Sequence, residues 1–187
     1  MLSALHEIDL QILQIATDFT SQSAFTQGCI YFLAEMLIFI FPAVLFYMWE
    51  KPEVASRHHG SRKAVMIALV SIVLAVALKS FINAVIARPR PFDSHPELFH
   101  LSFRVDPASF PSGHTLFSWA IASSFVMSGY RKLGVFLLVC AILVSLGRVF
   151  SGVHYPSDVL AGMIIGVGMA WYLHREASSL KRYLPNE

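Results

Sequence analysis

Three polar segments of this sequence carry the residue types that phosphate chemistry requires. A transferring phosphoryl group needs fixed positive charge on its oxygens, a nucleophile in line with the breaking bond and a proton donor for the leaving oxygen. The segments together offer a candidate for each requirement, so they predict one phosphate site. They are Arg88-Pro89-Arg90-Pro91-Phe92, Pro111-Ser112-Gly113-His114, and the stretch from Arg148 through His154 to Asp158.

The predicted binding groups are two arginines and the start of a helix. Arg90 and Arg148 present planar forks of donors that match phosphate geometry and stay charged at any relevant pH. Ser112 and Gly113 stand where an apolar helix is predicted to begin, so we expect their backbone N–H groups and the positive helix end to face the anion. A glycine there permits close approach of the phosphate.

The predicted nucleophile is His154. Asp158 follows it by one helical turn, and we expect its carboxylate to accept the Nδ1 proton and leave Nε2 free to form a phosphohistidine. His114 is then the expected proton donor to the leaving oxygen and, later, the base that activates water. Either histidine alone is more typical of an ordinary interfacial side chain, so it is their joint spacing with the arginines that indicates a site.

The elements that must position these residues are predicted membrane helices. Of the 187 residues, 56% are apolar and 14% are charged, against about one quarter charged in ordinary globular proteins. Crossing a bilayer takes roughly 20 apolar residues, and five runs qualify, although the third and fifth are short. We therefore expect an all-α, polytopic membrane bundle that forms a single domain over residues 1–187. The five predicted spans cover residues 25–49, 64–87, 114–130, 133–150 and 156–174.

Residues 1–20 are expected to form an amphipathic helix in the membrane interface. The segment contains acidic residues and lacks a basic start, so a cleaved signal peptide is not indicated. One face of this helix is acidic and the other is apolar, with apolar residues at steps of three or four. The apolar positions are Leu2, Leu5, Ile8, Ile12, Ile15 and Phe19.

The basic residues predict how the bundle is oriented. They cluster at residues 51–63, 131–132 and 175–182, and with five spans all three clusters fall on one side. The positive-inside rule makes that side cytoplasmic. The three polar segments then lie on the outer side of the membrane.

The polar segments resemble the three signature motifs of the type-2 phosphatidic acid phosphatase superfamily, which includes bacterial undecaprenyl-diphosphate phosphatases and vanadium haloperoxidases. The second motif is intact at residues 111–114, and the third is matched from Arg148 through Asp158. The resemblance covers roughly residues 60–174. It implies a lipid phosphatase that works through a phosphohistidine and needs no metal or other cofactor. Family members usually have six spans, and the N-terminal helix is the candidate for the sixth.

Two positions depart from the family pattern. Gly147 replaces the serine before the third-motif arginine, and Asn83 stands where the first motif has a lysine. Lys79 lies one turn earlier on the same helix face, from which a long stem can reach the substrate. Alternatively, Lys79 pairs with Glu35, because both are expected at a depth of roughly 12 to 15 Å in the membrane.

The resemblance favours undecaprenyl diphosphate as the substrate, in the inner membrane of a bacterium, with the site facing the periplasm or the cell exterior. Phosphatidylglycerophosphate, phosphatidic acid and lipid phosphotransfer remain alternatives. A lipid transporter or binding protein with a degenerate site is the alternative from another class. The expected partners are the bilayer and a lipid phosphate; a net charge of +2 does not indicate nucleic acid, and the sequence leaves the oligomeric state open.

Other polar and small residues have simpler interpretations. We expect Arg88 and Arg104 to bind lipid headgroups rather than to take part in catalysis. The spacing of Asp93, His95, Glu97 and His100 favours a solvated substrate-entry loop over a metal site. Three glycines of the last span are expected to permit close helix packing. They are Gly162, Gly166 and Gly168.

Overall fold

The computed structural model describes residues 2–50, 61–95 and 108–183. Within these ranges the regular structure is entirely helical. The first long apolar run forms α2, a π-helical turn, a 3₁₀ turn and α3 in direct succession. The elements in chain order are α1 (Leu2–Thr20), α2 (Ala24–Tyr31), the π turn (Phe32–Met36), the 3₁₀ turn (Leu37–Phe39), α3 (Ile40–Glu50), α4 (Ser61–Val85), α5 (Pro91–Ser94), α6 (Gly113–Met127), α7 (Arg131–Phe150) and α8 (Pro156–Tyr183).

Four helical stretches are long and apolar enough to cross a membrane, so this is an integral membrane protein. They are Ala24–Glu50, Ser61–Val85, Arg131–Phe150 and Pro156–Ser178. Four of the five predicted spans therefore correspond to helices that could cross a membrane. The remaining one, at residues 114–130, corresponds to α6, which has only 15 residues and is shorter than the usual crossing length of roughly 20. The count of five spans stays a prediction.

Helix α6 is the centre of the bundle and packs against α4, α7 and α8. Its apolar side chains are buried on several faces, including Leu116, Ile121 and Phe125, each 0% exposed. A helix that is apolar and buried all round belongs in the core rather than at a lipid surface. Because α6 is held from several sides, the residues at its first turn have well-defined neighbours.

Two glycines of α8 allow this helix to approach α6 closely. A Cβ added at Gly162 would lie 2.6 Å from the Ser112 carbonyl oxygen, and one at Gly166 would lie 2.5 Å from the Leu116 oxygen. A Cβ at Gly168 would meet nothing within 4 Å. The predicted packing role is therefore confirmed for the first two glycines and wrong for Gly168.

This contrast predicts opposite effects of one added methyl group. Gly166→Ala should lower the stability of the bundle by about 1 to 3 kcal/mol, because the backbone of α6 must move away. Gly168→Ala should be neutral or stabilise by up to about 1 kcal/mol through helix propensity alone. Thermal unfolding of both variants in the same detergent measures the difference, and equal midpoints would contradict the packing role.

Helix α1 turns its predicted apolar stripe away from the bundle. Ile8 and Ile15 are 52% and 70% exposed, so that stripe is the surface available to lipid. The opposite face packs on α7 and α8, where Leu13 and Ala16 meet Val149. The acidic residues of this helix are not all open to solvent, since Asp9 is 1% exposed. The interfacial position of α1 itself stays a prediction.

The first span is irregular where it passes the site. Proline lacks an N–H and its ring clashes with the carbonyl four residues earlier, which for Pro42 is that of Ile38 in the 3₁₀ turn. The regular helix resumes at Ile40, and the π turn just before the 3₁₀ turn contains Glu35. Pro42 therefore follows directly on a break in the regular helix.

Candidate active site

Two loops at the same end of the bundle bring Arg90 and His154 into contact. Arg90 directly precedes Pro91, the first residue of α5, and its extended backbone (ψ 156°) is typical of a residue before proline. Its Nη1 donates to the Val153 carbonyl at 3.1 Å and lies 3.3 Å from His154 Nε2. Both side chains are buried, Arg90 with 4% and His154 with 2% exposed.

The imidazole of His154 is held by a main-chain carbonyl. Its Nδ1 lies 2.8 Å from the Ser109 oxygen, which accepts the Nδ1 proton. Asp158 Oδ2 is 3.7 Å from Nδ1, which is close enough for electrostatic attraction but too long for a hydrogen bond. The predicted acceptor of the Nδ1 proton is therefore replaced by Ser109. The tautomer is the expected one, because a proton on Nδ1 leaves the Nε2 lone pair facing Arg90.

Asp158 also positions His154 through its neighbours. The carboxylate accepts hydrogen bonds from the Ser109 hydroxyl and from the Tyr155 backbone N–H, the latter at 2.9 Å. It is 0% exposed and fixes both the segment that supplies the Nδ1 acceptor and the residue after the histidine. Ser109 was missed by the sequence reasoning, and its only signal is its position two residues before the second motif.

Arg88 connects Asp158 to the N-terminal helix. Its Nη1 donates to Asp158 at 2.7 Å and its Nη2 donates to Asp9 at 2.8 Å. Asp9 also accepts from the backbone N–H of Ser157 at 3.0 Å, near the start of α8. The Arg88 guanidinium stacks 3.8 Å from the centre of the Tyr155 ring. The prediction that Arg88 binds lipid headgroups is wrong, because its donors are used inside the protein, and the role of Asp9 was not foreseen.

The environment of His154 favours the neutral imidazole. Burial lowers the pKa of His154 to about 4, the positive charges of Arg148 and Arg90 act in the same direction, and the nearby Asp158 opposes them. At neutral pH the ring therefore carries one proton, on Nδ1, and offers a lone pair at Nε2. Arg90 contacts the predicted nucleophile directly, and the charge of Arg148 also lowers the pKa of the ring.

The second motif forms the start of α6. Ser112 is the N-cap residue of this helix, but its backbone N–H donates to the Asp158 carbonyl at 3.0 Å. The expectation that this N–H faces the anion is therefore wrong. Gly113 and His114 occupy the first helical turn, where backbone N–H groups have no partner inside the helix and the positive end of the dipole lies.

Lys79 packs directly against this helix start. A Cβ at Gly113 would lie 3.2 Å from Lys79 Cε and 4.0 Å from its Nζ. With the Asn83 amide turned to satisfy both neighbours, its oxygen accepts from Lys79 Nζ at 3.1 Å and its nitrogen donates to the Phe110 carbonyl. Lys79 therefore reaches the second motif, although it is displaced by one turn from the family position, and Asn83 contacts the residue just before that motif.

Glu35 does not pair with Lys79, so that prediction is wrong. Its Oε1 accepts a hydrogen bond from Arg148 Nη1, and its Oε2 lies 3.8 Å from His114 Nε2. Arg148 is 1% exposed and also donates to the Ala34 carbonyl at 3.2 Å. The carboxylate thus lies between two residues that the sequence assigned to the phosphate site.

The position of Lys79 predicts a contribution to anion binding. Lys79→Met should raise the KM for a phosphate substrate roughly tenfold, because a charged donor beside the first turn of α6 is removed. Steady-state assays of the variant measure the change. Arg131→Met is the matched control, since Arg131 is an exposed cation at the start of α7. An unchanged KM for Lys79→Met would assign the lysine to packing alone.

An apolar groove of about 260 Å³ opens beside His114. Its other walls come from the irregular part of the first span and from the first turns of α6, including Phe39, Pro42 and Phe117. In the part of the chain that the structure describes, no group of three or more His, Cys, Asp or Glu side chains is arranged to hold a metal ion. Glu97, His100 and Arg104 lie outside the described residues.

Comparisons with known proteins agree with this arrangement. The model of the PAP2 superfamily matches residues 64–180. The bacitracin transport permease protein BcrC of Bacillus licheniformis is 28% identical over 174 residues, 93% of this chain and 83% of the relative. Undecaprenyl-diphosphatase BcrC of Bacillus subtilis (strain 168) is 28% identical over 153 residues, 82% of this chain and 76% of the relative.

A crystal structure of a transmembrane PAP2-type phosphatidylglycerolphosphate phosphatase from Bacillus subtilis has the same fold. It superposes with a TM-score of 0.65 at 23% identity and covers 97% of this chain and 90% of that one. The family model spans more than half of the chain and includes all three motifs. The chain therefore belongs to the PAP2 superfamily, as a membrane lipid phosphatase.

Proposed function

We propose that this protein hydrolyses undecaprenyl diphosphate, with His154 as the nucleophile and without a metal ion. The observation that carries the proposal is the orientation of the His154 ring: Nδ1 donates to the Ser109 carbonyl, and Nε2 faces the Arg90 guanidinium. A phosphate oxygen bound by Arg90 would bring phosphorus next to the Nε2 lone pair. Fixed geometry of this kind is what an in-line displacement requires.

In the first step, Nε2 of His154 attacks the terminal phosphorus and the bond from phosphorus to the leaving oxygen breaks. The negative charge that develops on the phosphoryl oxygens is stabilised by Arg90, Arg148 and the first turn of α6, with Lys79 nearby. Burial and the positive charges of Arg148 and Arg90 lower the pKa of His114 to about 3 in the free protein. The negative charge of the bound phosphate acts in the opposite direction and favours the imidazolium form, which donates its proton to the leaving oxygen.

In the second step, a water molecule attacks the phosphohistidine. His114, now neutral, accepts a proton from that water, the bond from Nε2 to phosphorus breaks, and inorganic phosphate leaves. His154 returns to the neutral form that its buried position favours. Only protons move in addition to the phosphoryl group, and this chemistry requires neither a redox partner nor a metal ion.

The groove beside His114 supports a lipid substrate. It is apolar and about 260 Å³ in volume, and it is lined in part by His114, the proposed acid and base. A prenyl chain lying there would place its phosphate end at the start of α6, beside Lys79. Apolar contacts of this kind discriminate poorly between tails, so the choice of undecaprenyl diphosphate is based on the similarity to the Bacillus subtilis relative of that name.

We further propose that the site faces the periplasm or the cell exterior of a bacterial inner membrane. The start of α6, the end of α7 and the start of α8 all contribute to the site and so lie at one end of the bundle. The basic residues near 61–63, 131–132 and 175 lie in α4, α7 and α8, towards the ends of these helices that are away from the site. The positive-inside rule then assigns the site to the outer face.

The proposal is tested with purified protein in detergent and a panel of lipid phosphates in the presence of a chelator. Phosphate release should be fastest from undecaprenyl diphosphate and should not depend on added metal. If phosphatidylglycerophosphate or phosphatidic acid is hydrolysed faster, the proposed substrate is wrong but the proposed mechanism stands. Phosphate transfer to an added alcohol instead of water would indicate a phosphotransferase. Loss of all activity in chelator would refute the metal-free mechanism.

A transporter remains the alternative from another class, and the name of the Bacillus licheniformis relative is the observation that favours it. The missing first-motif lysine supports it less, because Lys79 reaches the same helix start. Rapid quenching in alkaline detergent, with a substrate that carries ³²P in its terminal phosphate, distinguishes the two. An enzyme should yield a labelled, acid-labile phosphoprotein that is lost in His154→Ala, whereas a transporter should yield none.

A further inference from the structure

The irregular turn of the first span places a carboxylate inside the proposed phosphate site. Glu35 accepts a hydrogen bond from Arg148, and its second oxygen lies 3.8 Å from His114 Nε2. It belongs to the π turn, and π-helical turns within α-helices are frequent at functional sites. A single carboxylate therefore contacts one proposed clamp residue and approaches the proposed acid.

Gly147 makes room for this turn. A Cβ at this position would lie 2.7 Å from the Ala34 backbone nitrogen, so a side chain here would push the first span away from α7. The same close approach lets Arg148 donate to the Ala34 carbonyl at 3.2 Å. The glycine that replaces the family's serine and the carboxylate at residue 35 are thus parts of one local arrangement.

Arg148 needs a negative partner whenever no phosphate is bound. Its side chain is 1% exposed, and a buried guanidinium without a counter-charge is strongly destabilising. Glu35 supplies that charge at Nη1, while Nε is buried and, among the described residues, has no hydrogen-bond partner. The guanidinium therefore has an unused donor, and one of its occupied donors is held by a carboxylate that is itself 21% exposed at the mouth of the site.

We propose that Glu35 is the anion that neutralises Arg148 between substrates and that it exchanges places with the substrate phosphate. The inference rests on the proposed function, because it takes Arg148 as a phosphate ligand. A phosphate displaces Glu35 because it offers Arg148 more oxygens and more charge than a carboxylate does. When the product phosphate leaves, Glu35 returns, so the buried guanidinium is never left without a partner.

The exchange weakens the binding of free phosphate. The apparent affinity for phosphate is the intrinsic affinity multiplied by the fraction of molecules in which Arg148 is free of Glu35. If Glu35 occupies Arg148 in nine molecules of ten, the apparent affinity is about tenfold weaker. Glu35 is thus a specificity-determining residue that limits inhibition by inorganic phosphate. Removing its charge should tighten phosphate binding, whereas removing an ordinary binding residue would weaken it.

The test is a titration of full-length protein in detergent with inorganic phosphate, followed by the shift in its unfolding temperature. Glu35→Gln should lower the half-saturating phosphate concentration about tenfold, and Glu35→Asp, which keeps the charge, should stay within about threefold of the wild type. Asp18→Asn is the matched control, since it removes an exposed carboxylate from α1 and should change nothing.

The proposal would be overturned if Glu35→Gln bound phosphate no more tightly than the wild type. It would also be overturned if Glu35→Gln and Glu35→Asp bound phosphate more tightly by the same factor. If Glu35→Gln does not fold alone, added phosphate must restore folding by supplying the missing charge, and failure to do so is also contrary to the proposal. These measurements involve no turnover. An inactive wild type would refute the proposed hydrolysis and leave the phosphate titration readable.

Discussion

His154→Ala should lower kcat for release of phosphate from a lipid phosphate by at least about 10³-fold. The variant keeps Arg90, Arg148 and the start of α6, so it should still bind the substrate, and KM should change far less than kcat. The reason is that the side chain forms the covalent bond to phosphorus but is only one of several groups around the anion. Steady-state kinetics with the preferred lipid measure both quantities.

The loss must be chemical rather than structural. His154 is buried, so the unfolding temperature of the variant in detergent should be compared with that of the wild type, and inorganic phosphate should still raise it. Asp18→Asn serves as an exposed control that should retain full activity. Full phosphatase activity in folded His154→Ala would mean that another residue is the nucleophile.

Arg88→Met should have the second large effect, although Arg88 is not expected to touch the substrate. The substitution leaves the carboxylates of Asp9 and Asp158 without their shared cation, and their side chains are 2% and 0% exposed. Removing one partner of a buried ion pair typically costs about 3 kcal/mol or more. We expect a marked fall in the unfolding temperature.

The same substitution should also reduce kcat by about 100-fold, because Asp158 helps to hold Ser109 and Tyr155 around His154, and a displacement of about 1 Å at a nucleophile has such an effect. Arg88→Lys keeps the charge but not the fork of donors, and should recover stability more than activity. Arg131→Met is the exposed control. A stable, fully active Arg88→Met would show that the connection from α1 to His154 is unimportant.

Much of the fold was predictable because the length of an apolar run is a local property. Four of the predicted spans agree with helices of the structure to within a few residues. The remaining one, at residues 114–130, corresponds to the 15-residue α6, whose apolar side chains are buried by neighbouring helices, and its crossing of the membrane stays a prediction. Likewise, the apolar stripe of α1 was identified, but the burial of Asp9 on the other face depended on Arg88, far along the chain.

The residue types alone indicate which chemistry is available, since guanidinium, imidazole and carboxylate groups keep their chemical character in any fold. The sequence indicated His154, His114, Arg90 and Arg148 as the groups to examine, and their assignment to catalysis and binding is a proposal. Their order along the chain also determined the family, because the motifs are read in sequence.

Only the tertiary structure decided which atoms meet. Ser109 rather than Asp158 accepts the Nδ1 proton, and Glu35 joins Arg148 across 113 positions of the sequence rather than Lys79. Such contacts depend on the rotation and separation of packed helices, and Gly147, Gly162 and Gly166 lie where an added Cβ would clash with the backbone of a neighbouring element. A pattern read along the chain contains the periodicity of each helix but not the direction in which a neighbouring helix faces it.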